Sequence, residues 1–457
     1  KILTRHLTTF DGTPVPPGVP AAGDSIVVRA DWRFSHEYFT GLCANLLRAA
    51  YGDDIPLWDR ERIIAFEDHL NLAHRSAPHI KQGLLAGIGG LSRAHRAFVD
   101  RYGVLEYGRL SPADDEARPL GAEGSVGICH AVMAERHALP GEIVIGTDSH
   151  TPHSGGLGCL AFGAGSTDIA ASWVTGRIRT SMPRTIRVEL SGRMPEGLAA
   201  KDVVLHILAL PAIRSGAAIG CVFEYGGGAL RAMTTDERCT LTNMVAEMGG
   251  LTGIIEPDEE TARFLRERRG VEFVIEGWMR SDPGARYADR IDVDVATLSP
   301  MVAAPGDPGN GIPLAQVAER PVLDIAYGGS CTAGKRADFD EYHRVLDWAR
   351  QQGRRVAPGV KLYLQFGTRN VREYCEERGY LATFADVGAE LLEPGCGSCA
   401  NCGPGASTRA DQVTVSAINR NFTGRSGPGN VWLASPATVA ASAIAGRLVS
   451  FSELMHG

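Results

Sequence analysis

Short β-branched and aliphatic runs recur along this chain, and each ends in small or polar residues before a helical pattern begins. "RERIIAFEDHL" reads as a strand ending in polar residues and "GGLSRAHRAFVDRYGV" as a helix, while "GEIVIGTDSHTPHSGGLGCLAFGAGSTDIAASWVTG" reads as strand, Gly-rich loop and helix. The alternation returns in "RPVLDIAYGGSCTAGKRADFDEYHRVLDWARQQG", "VKLYLQF" and "NVWLASPATVAASAIAG". Such a pattern predicts a layered α/β fold, in which ligand groups gather at strand ends.

At 457 residues the chain exceeds one ordinary core, so several α/β units are expected. Met182-Pro183 is read as breaking the preceding helix before the alternating strand in "RTIRVELSGRM", which sets a boundary near residue 184. The Pro- and Gly-rich "LSPMVAAPGDPGNGIPLAQV", around 299 to 315, is read as an inter-domain connection. The predicted units are residues 1–183, 184–293 and 294–457. A composition of 44% hydrophobic and 22% charged residues is that of a folded globular protein. The net charge of −7 argues against a broad nucleic-acid surface, which needs clustered Lys and Arg.

The most apolar stretch, "ASPATVAASAIAGRLVSF", is broken by Pro436 and Arg447 and reads as a buried Ala-rich helix. "KILTRHLTTFDGTP" reads as a helix turn leading into a loop, without the apolar run of a secretory signal, so a cytosolic address with reduced thiols is expected. Of ten cysteines, Cys43, Cys129, Cys159, Cys221, Cys239 and Cys375 sit singly among apolar neighbours, as core residues do.

"EPGCGSCANCGPG" is different: Cys396, Cys399 and Cys402 fall within seven positions. A closed zinc site needs four ligands, and no second pair follows. A ferredoxin-type run needs a fourth cysteine where Ala406 stands. A zinc knuckle or a plain Gly-rich turn remain open readings, and any metal partner must come from elsewhere. "YGGSCTAGKR" offers Cys331, at a Gly-Gly-Ser turn after a predicted strand; alone it reads more readily as a core cysteine.

Histidines and acids cluster likewise at predicted strand ends: Asp68-His69 in "FEDHLN", His130 in "GICHAVMAE", and Asp148, Ser149 and His150 in "GTDSHTPHSGG". A carboxylate beside an imidazole sets its tautomer and raises its pKa, as a proton donor requires. "LTNMVAEMGG" puts Asn243 and Glu247 at i and i+4, on one face of a predicted helix. "SAINRNFTGRSG" carries Asn419, Arg420 and Arg425, and guanidinium forks bind carboxylates bidentately. Taken singly, each has an ordinary structural reading as a buried histidine, a solvated helix face or surface arginines.

Together and in this order, from "KILTRH" to "SPATVAASAIAG", these motifs resemble the aconitase superfamily, in the form of a separate large subunit of the isopropylmalate isomerase or homoaconitase type. The resemblance implies three layered α/β domains around a central cluster site, without the swivelling fourth domain. It implies a [4Fe-4S] cluster held by Cys331, Cys396 and Cys399, with Cys402 surplus. It makes Asp68-His69 the proton donor to the hydroxyl. His130 and His150 would bind substrate and cluster-bound water, oriented by Asp148 and Glu247. His36 in "FSHEYF", Ser149, Asn243, Asn419, Arg420 and Arg425 would face the substrate. The implied reaction removes and re-adds water on a 2-hydroxy di- or tricarboxylic acid of the 3-isopropylmalate kind. The proton-abstracting serine lies on the swivelling domain, so a small subunit carrying it is the expected partner.

Two departures stand beside the cluster motifs. Ala333 replaces the usual Asn of "GSCTN", and Asn401 and Cys402 replace commoner apolar residues. They leave open a divergent paralogue acting on another malate-type acid. A non-catalytic iron–sulfur or RNA-binding regulator is the remaining alternative, opposed by the acidic charge and by the full set of acids, histidines and arginines.

Overall fold

The computed structural model describes residues 1–13, 15, 18–108 and 125–457. Pro14, at the end of the first segment, lies outside the described residues. Four sheets organise the described residues. A small antiparallel sheet joins Leu7–Thr8, Ser25–Arg29 and Arg177–Ser181. A five-stranded parallel sheet runs Leu105–Tyr107, Ile63–Phe66, Trp32–His36, Ile143–Gly146, Leu160–Gly163. A four-stranded parallel sheet follows in the order Thr252–Ile255, Val222–Gly226, Thr185–Ser191, Asp289–Asp294. The last sheet has seven strands, with Glu390–Leu392, Lys361–Gln365, Ile325–Gly328, Val413–Ser416 and Asn430–Ala434 parallel and two antiparallel strands at its edge. Parallel strands buried on both faces read as the continuous apolar runs seen in "RIIAF" and "EIVIG".

Four local expectations need correction. The helix before Met182-Pro183 is Ser166–Thr175; it ends at Gly176, φ +70°, and a strand, Arg177–Ser181, follows it. Glycine at that position turns the chain left-handed at low cost and frees it to pair with Ser25–Arg29. The 299–315 segment is no mere connection, because Met301–Ala303 and Gly311–Pro313 form a hairpin on the edge of the seven-stranded sheet. Its Pro and Gly content suits an edge strand and its turn. The "Gly-rich loop" after Gly146 is a 3-10 run, Thr151–Leu157, and the strand Leu160–Gly163 intervenes before the helix. Finally, the helix carrying Asn243 is Thr235–Asn243, and a 3-10 turn, Met244–Ala246, separates it from Glu247.

Apolar packing ties the sheets together. One buried cluster runs from Ile186 and Phe223 of the four-stranded sheet through Met244 to Tyr327 and Leu392 of the seven-stranded one, and to Cys399 in the turn beyond it. The helix "PATVAASAIA", Pro436–Ala445, is buried as expected, against Phe339, Val345 and Leu346. No helix among the described residues is long and apolar enough to cross a membrane.

Candidate active site

The carboxyl ends of the parallel strands converge on one buried site. Trp32–His36 delivers His36, Ile63–Phe66 leads to Asp68 and His69, and Ile143–Gly146 leads to Asp148, Ser149 and His150. From the seven-stranded sheet, Ile325–Gly328 leads to Cys331, Glu390–Leu392 to Cys396 and Cys399, and Val413–Ser416 to Asn419 and Arg420. Glu237 and Thr234 close the N-terminus of Thr235–Asn243 by a reciprocal capping box, so that helix delivers Asn243 rigidly at its other end.

The three sulfurs share one pocket. The Asn419 amide lies between two of them, Oδ1 3.1 Å from Cys399 Sγ and Nδ2 3.7 Å from Cys331 Sγ. Cys331 and Cys396 pack together against Ile128, Ala131 and Ala400. Asn243 Oδ1 accepts from Cys331 Sγ at 3.7 Å, and the Arg425 guanidinium lies 3.9 Å from Cys399 Sγ. Either amide, turned end for end, offers N–H groups and suits a thiolate as well as a thiol. Burial raises the pKa of Cys331 and of Cys396. At Cys399 burial acts the same way but is outweighed by Arg425 and His150, which hold the thiol below its ordinary value. The turn before Cys331 is under tension: Ser330 sits at φ +66°, a left-handed conformation that a non-glycine residue adopts at a cost. It is held by Thr332, which donates to Ala417 O at 2.8 Å and accepts on its carbonyl from Thr240 Oγ1 at 3.1 Å. Three soft thiol donors with amide and guanidinium neighbours fit an iron–sulfur group held at three corners.

The acid–histidine groups stand against these sulfurs. His69 Nδ1 donates to Asp68 Oδ1 at 2.8 Å, and His69 Nε2 lies 3.3 Å from Asp148 Oδ2. Burial alone would lower the His69 pKa, but Cys396, Asp68 and Asp148 raise it well above the ordinary value. Asp68 also accepts the Cys129 N–H at 2.7 Å. His36 stacks on His69 at 3.8 Å, and burial together with that neighbour pushes its pKa down to about 3. His130 lies 3.5 Å from Asp148, with its Nε2 buried and without a hydrogen-bond partner among the described residues; burial lowers its pKa to about 4.

His150 is held on both sides. Its backbone N–H donates to Asp148 Oδ1 at 2.6 Å, and its Nε2 lies 2.9 Å from Glu247 Oε1. The same Glu247 oxygen accepts from Arg420 Nε at 2.7 Å, and Arg420 Nη2 reaches Ser149 Oγ at 3.1 Å. Burial would raise the Glu247 and Asp148 pKa values, yet histidine and arginine contacts hold both below the usual carboxylate range. All fifteen residues singled out in the sequence therefore lie in or against one pocket.

Three buried groups of the pocket escaped sequence reasoning. Glu37 accepts the backbone N–H groups of Asp68 (3.2 Å), His69 (2.6 Å) and Leu70 (2.6 Å), so it shapes the loop bearing the acid pair. His153 places Nδ1 3.2 Å from Asn243 Nδ2. Lys201 donates to Ile418 O at 2.6 Å. The available signals were an acid beside His36, a further histidine in "SHTPHSGG", and a lysine inside the apolar helix "AAKDVVLHIL".

The departures have places too. Ala333 is fully buried in the apolar cluster with Phe339 and Phe366. Cys402 is buried with Leu70, Ala73 and Ile88, its Sγ 3.2 Å from Tyr38 OH, and the Tyr38 ring meets His69 edge-on at 5.5 Å.

Residues 115–446 match the model of the aconitase family (aconitate hydratase). The chain belongs to the aconitase family. A 3-isopropylmalate dehydratase large subunit of Methanopyrus kandleri is 33% identical over 430 residues, covering 93% of this chain and 94% of that one. A homoaconitase large subunit of Methanocaldococcus jannaschii is 32% identical over 437 residues, covering 94% and 95%. The crystal structure of Thermococcus kodakaraensis aconitase X aligns at a TM-score of 0.48 and 8% identity, over 87% of this chain and 84% of that one. The named aconitase-family relatives are hydro-lyases, and the mixed α/β architecture with parallel sheets is in keeping with that family.

Proposed function

We propose that this chain is the large subunit of a [4Fe-4S]-dependent hydro-lyase that dehydrates and rehydrates a 2-hydroxy di- or tricarboxylic acid of the 3-isopropylmalate kind. Cys331, Cys396 and Cys399 would hold the cluster. Bound there, it would supply one iron with open coordination positions, a Lewis acid toward the substrate hydroxyl and a carboxylate. The observation that carries the reading is the meeting of three unpaired thiols with the Asp68–His69 pair and with Arg425 in one buried pocket.

The residues of the chain divide the remaining work. His69, flanked by Asp68 and Asp148, is the proton donor to the departing hydroxyl, and the two carboxylates stabilise its imidazolium form. Arg420 and Arg425 grip substrate carboxylates, where a guanidinium fork gives both charge and orientation. Glu247 aims Arg420 and His150 together, and Ser149, Asn243 and Asn419 offer further hydrogen bonds. His36 and His130, kept neutral by burial, serve as uncharged contacts to substrate and water. A proton next to a carboxylate is weakly acidic, so charge developing on that group needs fixed cations. The abstracting base is assigned to a small subunit carrying the swivelling domain, which makes the active form a heterodimer or larger. We read the chain itself as three units, 1–183, 184–293 and 294–457.

The test is anaerobic reconstitution of the chain with iron and sulfide, mixing with the small subunit, and a screen of malate-type acids for an unsaturated product. Turnover of 3-isopropylmalate supports the full reading. Turnover only of another malate-type acid points to the paralogue suggested by Ala333 and Cys402. Failure of the triple variant C331A/C396A/C399A to lose iron would overturn the ligand assignment.

A further inference from the structure

Lys201 is a buried lysine with no ion-pair partner among the described residues. It lies in the helix Ala200–Ala209 and is 1% exposed. Its ammonium donates to Ile418 O at 2.6 Å and contacts Met244 Sδ at 3.2 Å. Both partners are neutral, and a thioether accepts only weakly. Among the described residues no carboxylate oxygen stands within 4.0 Å of the ammonium. The contrast with Lys335 is direct. That lysine is also buried, with its ammonium 3.4 Å from Cys331 O, but Asp338 pairs with it at 2.7 Å.

Burying an ammonium away from water costs several kcal/mol unless negative charge compensates it. The anionic groups that act on Lys201 are Glu247, Cys331 and Cys399. Glu247 acts first among them, but its Oε1 is shared by Arg420 and His150 and it forms no ion pair with Lys201. The thiols remain, and as ligands they must be thiolates. We propose that Lys201 is the fixed counter-charge of the cysteine-bound group. It also holds the Ile418 carbonyl, and so the turn that presents Asn419 and Arg420. It is a positioning residue, not a catalytic one, and the inference rests on the cluster assignment made above.

The charge and the hydrogen bond can be separated by substitution. K201Q keeps a donor for Ile418 O and loses the charge; K201M loses both; K201R keeps the charge. Each full-length chain is reconstituted anaerobically with ferrous iron and sulfide, checked for native circular dichroism, and titrated to find the reduction potential of its cluster. A nearby positive charge favours the more negative, reduced state. K201Q and K201M should therefore shift the equilibrium about tenfold toward the oxidised form, about 59 mV more negative, and lose iron to a chelator several-fold faster. K201R should stay near the wild type. Equal potentials for wild type and folded K201Q overturn the proposal while leaving the cluster reading intact. A wild-type chain that takes up no iron overturns both.

Discussion

Cys396 donates its backbone N–H to the carbonyl oxygen of Asp68 at 2.9 Å, so the loop carrying one sulfur and the loop carrying the acid pair form a single unit. The proposed proton donor and the proposed metal-binding thiol are thus registered by backbone, not by flexible side chains.

D68N keeps the size of the side chain and an oxygen for the Cys129 N–H, but removes the charge behind His69. General acid catalysis contributes about 10²–10⁴ in rate, and D68N should lose about that much in kcat with iron per chain unchanged. Initial rates beside iron analysis check it; a near-normal rate removes His69 from the role of acid.

Glu37 satisfies three consecutive backbone N–H groups. E37A leaves them buried without their acceptor, at about 1–3 kcal/mol for each group that finds no substitute. Denaturant melts should show a stability loss of at least about 2 kcal/mol, and E37Q, which keeps one oxygen, should fall between E37A and wild type. An E37A melt that overlays the wild type contradicts this account of the loop.

The turn Thr151–Leu157 packs so closely on the strand Thr252–Ile255 that an added Cβ at Gly155 would overlap the Gly253 carbonyl. Backbone cannot step aside as a side-chain tip can. G155A should cost about 3 kcal/mol or more and displace His150, seen as low soluble yield or a lowered melting temperature together with lost activity. A variant with wild-type stability and rate is the contrary result.

Far from the site, His6 Nε2 and Asp31 Oδ2 pair at 2.8 Å. Burial would lower the His6 pKa, but Asp31 raises it; burial would raise the Asp31 pKa, but His6 and the Ile143 N–H lower it. A raised histidine stabilises fully below its unfolded pKa, about 6.5, and loses that contribution as pH rises through its folded value. A lowered carboxylate stabilises above its unfolded pKa, about 3.9, and loses it as pH falls through its folded value. The pair therefore contributes most between those limits. H6Q should lower the melting temperature more at pH 5.5 than at pH 9 (about, respectively, inside and above that window); an equal effect at both removes the ionic part of the pair.

The strands that feed the site were legible because their pattern is local: an apolar run, a small-residue turn and a helix follow one another in "IIAFEDHL" as in "DIAYGGSCT". Reading failed where long-range pairing decides. Nothing within "RIRTS" announces a strand until Ser25–Arg29 lies beside it. The same holds for Met301–Ala303, whose partner Asn430–Ala434 is more than a hundred residues away. Asn243 and Glu247 were read as one helix face, but the α-helix stops between them, and contacts with His150 and Arg420 fix where Glu247 points.

Residue chemistry belongs to the sequence: which thiols, imidazoles, acids and guanidinium groups exist, and that they stand just after strands, follow from local order alone. Tertiary structure decided their company. Glu37 became a clamp on three N–H groups, and Lys201 a buried donor to the Ile418 carbonyl, only because segments distant along the chain were packed together. Charge and hydrogen bonding act through space over a few ångströms, a range that order along a chain does not encode.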